Sequence, residues 1–256
     1  MPLMPSIDEE LARIAGSTTA GTIADVIHVM QALDAALPAD DGLKWFNYLY
    51  LRVTEDVAKN PRGIVWENPH WLVRLDVVFA NLYFAAIMNW QTDRSKVARS
   101  WSALFEARHR SGTLRLQFAL AGMNAHINHD LPIAVVQTGK ELRNAPRRGT
   151  PEHRDFQRVD DILENVQEQV RHQLMTGLVG VIDRELGRTD DMIANWKVRK
   201  ARDTAWSNAE ILWRLNRLPA LRQEFLTSVD RLVSLAGRGL LAPVTGRHQA
   251  QHRLVV

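Results

Sequence analysis

Cysteine is absent from all 256 residues. That excludes disulfides, thiolate metal ligands and a cysteine nucleophile, and it leads us to expect a reducing, cytoplasmic setting. Strand patterning is missing too: no stretch alternates apolar and polar residues over a strand's length, and no hairpin turn joins two such stretches. There is no P-loop, no GxGxxG after a strand, no GxSxG elbow and no HExxH; the ExxH pairs of di-iron bundles do not recur on two segments. The longest apolar run, VVFANLYFAAIM (77–88), is short for a bilayer and contains an asparagine, so no membrane span is expected. The N-terminus lacks the basic start and apolar core of a secretory signal. Charge of one sign is also lacking. With 32 Lys and Arg against 29 Asp and Glu, the net charge is only +3, and the cations are scattered, so no nucleic-acid partner is expected. The short runs RNAPRR (143–148) and KVRKAR (197–202) read as loop and solvated helix face.

What is present is helical punctuation. SIDE (6–9) has the S-x-x-E pattern of a capping box. Thr18 or Thr19 can open a second helix to about Leu37, and Asp40 or Asp41 a third, stopped by Pro61. Asn68 and Pro69 suit a cap and first helical position, starting a fourth helix to about Trp90. A fifth covers about 95–110. The sixth spans about 113–137, where Pro132 should kink or end it. Thr150 and Pro151 start a long seventh to about Gly187, Thr189 to Asp191 an eighth, and Pro219 a ninth ending at Gly237. The pattern predicts a soluble all-α protein: one orthogonal, irregular bundle of about nine helices over residues 1–243, with a loose or docked tail at 244–256.

Polar groups set among apolar helix neighbours mark candidate sites, because a helical residue touches those three and four positions away. Asp76 has Leu72, Val73, Phe79 and Ala80 as such neighbours; Asn81 has Val77, Val78, Phe84 and Ala85. A carboxylate there must be paired, protonated or bound to a cation. NAHINHDLP (124–132) places five polar groups in a segment apolar nearly all round. His126 and Asp130 share a face one turn apart, with His129 beside them. An imidazole and a carboxylate at that spacing can hold one cation, or the carboxylate can orient the imidazole as a base. In the next helix, His153 and Asp155 can face the same interior, while Asp160 and Glu164 read as a solvated face.

These residues assemble into an expected site: His126, His129, Asp130 and Asp76 carrying catalysis, and Asp76, His126, Asp130, His153 and Asp155 holding one divalent metal. Mixed nitrogen and oxygen ligands suit zinc, iron or manganese. The metal would activate water or polarise an oxygen. Trp45, Trp71, Asn81, Tyr83, Asn128 and Glu210 are expected to line a pocket for a small, partly apolar substrate. The expected activity is that of a metal-assisted hydrolase or lyase. The alternative is a non-catalytic ligand-binding module in which the same groups form a structural polar network.

GLKWFNYLYLRVTEDVA, RLDVVFANLYF, WSALFEARHR, NAHINHDLP, HRDFQRVDDIL and AWSNAEILWRL, in that order, resemble a bacterial, mainly actinobacterial, domain family of unknown function across about residues 40–240. The resemblance implies one helical domain and no particular activity. DDILE (160–164) and NHDLPIAVVQTGKE (128–141) are also similar to the two metal motifs of class I terpene cyclases, all-helical enzymes that use magnesium to ionise a diphosphate. Here the motifs come in reversed order, Ala134 or a neighbour replaces the serine of the second, and Asp161 points outward. Histidine–aspartate pairs one turn apart are also similar to those of helical zinc phospholipases and nucleases, but that family's N-terminal tryptophan and repeated histidines are missing.

Overall fold

A computed structural model describes residues 6–60, 63–175 and 197–243. The described residues are helices and connections, without a strand. Helices α1 (Ile7–Gly16), α2 (Ile23–Ala36), α3 (Gly42–Lys59) and α4 (Pro69–Thr92) are followed by α5 (Arg99–Ala107). A continuous rod then runs through α6 (Arg115–Ala125), a π-helical turn (His126–Asp130) and α7 (Leu131–Glu141). Next come α8 (Pro151–Met175), α9 (Val198–Arg214) and α10 (Pro219–Leu240). The expected eighth start at Thr189–Asp191, the far end of the seventh helix and the tail lie outside the described residues.

Local chemistry sets several starts. Ser6 accepts the Glu9 amide while Glu9 accepts that of Ser6. Asp41 accepts the Leu43 amide, and Asn68 that of Trp71, with Pro69 at the first helical position. The second helix starts later than Thr18 or Thr19. Thr22 is its cap, because Asp25 three residues on completes the reciprocal pair that neither earlier threonine can make. The fifth helix begins at Arg99 rather than 95, since its first free amides, those of Arg99 and Ser100, are taken by Asp230 from α10. Asp155 on α8 does the same for Glu67 and Asn68 just ahead of α4. Both caps come from helices remote in sequence.

The helices share one core cluster, from Leu11 on α1 to Leu241 after α10. The α1 helix packs on α4, α3 on α6 and α8, α9 on α7, and α10 on α5 and α6. Close approach of α3 and α6 depends on two glycines: a Cβ at Gly122 would fall 2.3 Å from the Phe46 ring, and one at Gly42 2.4 Å from that of Phe118. The α4 helix is long and apolar enough by length and composition to cross a membrane, more than the run 77–88 alone suggests. Most of its apolar window is buried inside the protein.

Candidate functional site

Pro132 does not end the helical run; a π-helical turn, His126–Asp130, interrupts the α-helix just before it. In α-geometry its ring would meet the carbonyl of Asn128. Instead the Leu131 amide bonds back to the His126 carbonyl, one residue further than usual, and the widened turn carries the chain past the proline into α7. The same turn brings both histidines to one carboxylate. His126 Nδ1 lies 3.0 Å from Asp130 Oδ2 and His129 Nδ1 2.7 Å from Asp130 Oδ1. Trp101 on α5 donates its indole N–H to Oδ2 at 2.8 Å.

Burial alone would raise the Asp130 carboxyl, but hydrogen bonds from both histidines and their charge outweigh it and bring it down to about 2. It is therefore a carboxylate and can only accept, so both facing Nδ1 atoms carry hydrogens. Burial pushes His126 below the usual imidazole range, against the pull of Asp130. Burial also works against a charge on His129, yet Asp130 and Asp230 together hold its imidazolium above the usual range; its Nε2 is 3.9 Å from Asp230 Oδ1. The centre thus holds a carboxylate, a His129 biased towards its imidazolium and a His126 biased towards the neutral ring. The last is in the tautomer whose Nε2 lone pair is free.

That Nε2 is buried and makes no hydrogen bond. The ring stacks on Phe79, with centroids 3.5 Å apart and planes within 5°, and meets Tyr50 at 4.6 Å. All three residues line a narrow cavity of about 70 Å³ bounded by α3, α4, the π turn, α8 and α9. The lining is otherwise apolar except for Asp76 and Arg202. One further buried polar atom of the lining residues lacks a hydrogen bond, Asp76 Oδ2, whereas the Tyr50 hydroxyl has Thr54 as its neighbour one turn on. Burial raises Asp76 to about 7, only partly opposed by the charge of Arg202. Arg202 makes its own hydrogen bonds elsewhere, to Asp160 and to the Phe156 carbonyl.

The structure brings together part of the expected site. His126, His129 and Asp130 are in direct contact, and Asp76 shares the cavity with His126. The remaining metal candidates are held apart. Asp155 is saturated by the amides of Glu67 and Asn68 and by Arg158. His153 lies against Trp206 and its Nδ1 accepts the Gly149 amide. Among the described residues no group of three or more histidine, aspartate or glutamate side chains is arranged to hold a metal ion, so the five-residue metal set is not assembled.

The six expected pocket residues do not line the cavity. Asn81 instead clamps both backbone groups of Ala20, and the buried Tyr83 donates to Asn47 at 3.3 Å. Asn128 bonds Asn124, Trp71 packs on Trp206, Trp45 stacks under Arg115, and Glu210 accepts the Arg148 amide. Asp160 is buried on Arg202 rather than solvated, and Asp161 and Glu164 are both tied to Arg199, so each of the three carboxylates of DDILE is already paired with an arginine. Sequence reading also missed Tyr50, Trp101 and Arg202. Tyr50 had a usable signal, since Phe46 and Val53 flank it on its own face. Arg202 had none, sitting in a basic run whose other members Lys197, Arg199 and Lys200 are exposed.

The model of DUF5995, a family of unknown function, matches residues 23–243. No curated protein and no solved structure matches the chain.

Proposed function

From the premise that the chain belongs to DUF5995, a family of unknown function, we propose that its central cavity binds one small, largely apolar molecule and that the His126–Asp130 pair acts on it as a general base. The reading rests on one observation: two buried polar atoms, His126 Nε2 and Asp76 Oδ2, lack partners on side chains that share one apolar cavity, with the Tyr50 hydroxyl, which neighbours Thr54, on the same lining. Leaving a buried polar group unmade costs about 1–3 kcal/mol each, and a bound ligand carrying polar atoms would supply what is missing.

Asp130 fixes the imidazole so that Nε2 is the basic atom, the role a carboxylate plays beside a catalytic histidine. Nε2 takes a proton from water, for hydrolysis, or from carbon, for elimination. Asp76, near half protonated at neutral pH, returns a proton to the leaving group, and the Tyr50 hydroxyl donates to oxygen that gains charge. A positioned base of this kind contributes roughly 10²–10⁴ in rate. A metal-assisted version would draw on His126 Nε2 and Asp76. Catalytic zinc takes about three protein ligands, and the described residues offer no third, so no step is assigned to a metal.

The test is a panel of small esters, amides and β-hydroxy acids run with the wild-type protein, His126→Ala and Asp130→Asn, each checked for folding. Turnover should fall by about a hundredfold or more in both variants. Turnover indifferent to His126, or nitrogen NMR placing the imidazole proton on Nε2 at neutral pH, overturns the proposal. A non-catalytic reading has its own support, because Asp130 receives three donors, as a structural brace would. It is distinguished by ligand binding without turnover.

A further inference from the structure

We infer that the cavity recognises the head group of a short, unbranched primary alkylamine, as its ammonium ion. This rests on the ligand-binding half of the reading above and not on the base role of His126.

The argument is one of matching donors to acceptors. With Nδ1–H committed to Asp130, His126 Nε2 is an acceptor. Asp76 Oδ2 is an acceptor when ionised, and the Tyr50 oxygen accepts as well. The two unpartnered acceptors therefore ask for hydrogens, with the Tyr50 oxygen offering a third lone pair, and a primary ammonium carries three hydrogens on one nitrogen. A carboxylate ligand would bring only more lone pairs, and an alcohol a single hydrogen. Charge points the same way. Asp76 has no hydrogen-bonded cation, because Arg202 is bound to Asp160 and to the Phe156 carbonyl. Asp76 is half-buried with its Oδ2 covered; a carboxylate so placed without a partner is unfavourable, and an ammonium neutralises it. The rings of Phe79 and Tyr50 belong to the same lining, and aromatic rings favour a cation.

Shape limits the rest of the ligand. Along α3 the lining runs from Phe46 to Val57, three turns or about 16 Å. A volume of about 70 Å³ spread over that length leaves a slot, not a chamber. Val53, Val57, Val159 and Leu163 contribute apolar lining, and Arg202, held by Asp160 and the Phe156 carbonyl, is the cation of the lining. An alkyl chain fits such a slot and a branched one does not. If the amine is the product of amide hydrolysis, this is the state after Asp76 has protonated the departing nitrogen and His126 has added the proton it took from water. Water's hydroxyl is then on the acyl carbon and the carbon–nitrogen bond is broken.

The experiment is calorimetric titration of the full chain with n-butylamine, n-butanol, butanoate and tert-butylamine, with nitrogen NMR of His126 in parallel. Binding of n-butylamine is expected, about tenfold or more tighter than butanol, with no saturation by butanoate or tert-butylamine. Affinity should rise between about pH 6 and 8, as Asp76 no longer has to release a proton. Asp76→Asn should weaken it about thirtyfold or more; if that variant does not fold, Tyr50→Phe should weaken it severalfold. Equal binding of butanol, tighter binding of butanoate, or pH-independent binding overturns the ligand class. So does failure of every amine while His126 keeps its Nδ1–H tautomer, an outcome that leaves the general-base reading standing. An Nε2–H tautomer sinks both.

Discussion

Two kinds of inward-facing carboxylate coexist here, Asp41 and Asp155 fully buried and Asp76 half-buried. At the α3–α5 and α4–α8 contacts, Asp41 and Asp155 are matched on every side. Asp41 caps Leu43 and holds Arg108, which also reaches Asp8. Asp155 takes two backbone amides and Arg158. In the cavity, Asp76 has neither a cap to make nor an arginine bonded to it, and the Nε2 of the histidine that shares the lining is equally short of a partner. The first kind fastens helices together. The second costs stability, so its presence needs a reason other than folding, and a bound molecule is the one we offer.

The contrast breaks first at Asp41. Asp41→Asn removes a cap and leaves buried Arg108 with Asp8 alone, and should cost about 3–4 kcal/mol in denaturant unfolding at neutral pH; a loss under about 1 would mean the clamp is ornamental.

Asp76→Asn should do the opposite. The folded pKa, about 7, lies above the ordinary 3.8. Between those values the native state holds more protons than the unfolded one, so Asp76 lowers stability as pH rises through that window. The variant should gain on the order of 3 kcal/mol above pH 7 and nothing below about pH 4, read as the difference between two stability–pH curves. A loss at pH 8 would show that Asp76 has a partner after all.

Asp130 has the reverse sign. Its folded value, about 2, lies below 3.8, so its contribution is present above pH 3.8 and disappears as pH falls through about 2. Asp130→Asn should cost about 2 kcal/mol at neutral pH, with the penalty shrinking in acid.

The smallest effect belongs to the exposed Arg199, which pairs with Asp161 and Glu164. Arg199→Ala should change stability by less than about 1 kcal/mol and less still in high salt. A larger loss would erase the distinction between surface and buried pairs.

Much of the fold was legible where the cause lay within a few residues. Ser6 with Glu9, Asp41, and Asn68 with Pro69 announce helix starts because the capping side chain and the amide it takes are adjacent. The start of α5 was misplaced because its cap, Asp230, is on α10. The histidines and Asp130 stood out because five polar groups in a buried turn are costly wherever they sit. Tyr50 and Arg202 did not, since an aromatic in a core helix and an arginine in a basic run are ordinary until neighbours are known.

Composition and period alone settled that this chain is helical, and the spacing of His126, His129 and Asp130 along one turn settled that they would share a neighbourhood. Which lone pairs are free, which acids are spoken for and where a slot remains were decided by tertiary packing. Hydrogen-bond satisfaction depends on the atoms that other helices deliver, and those are invisible from within any one stretch of chain.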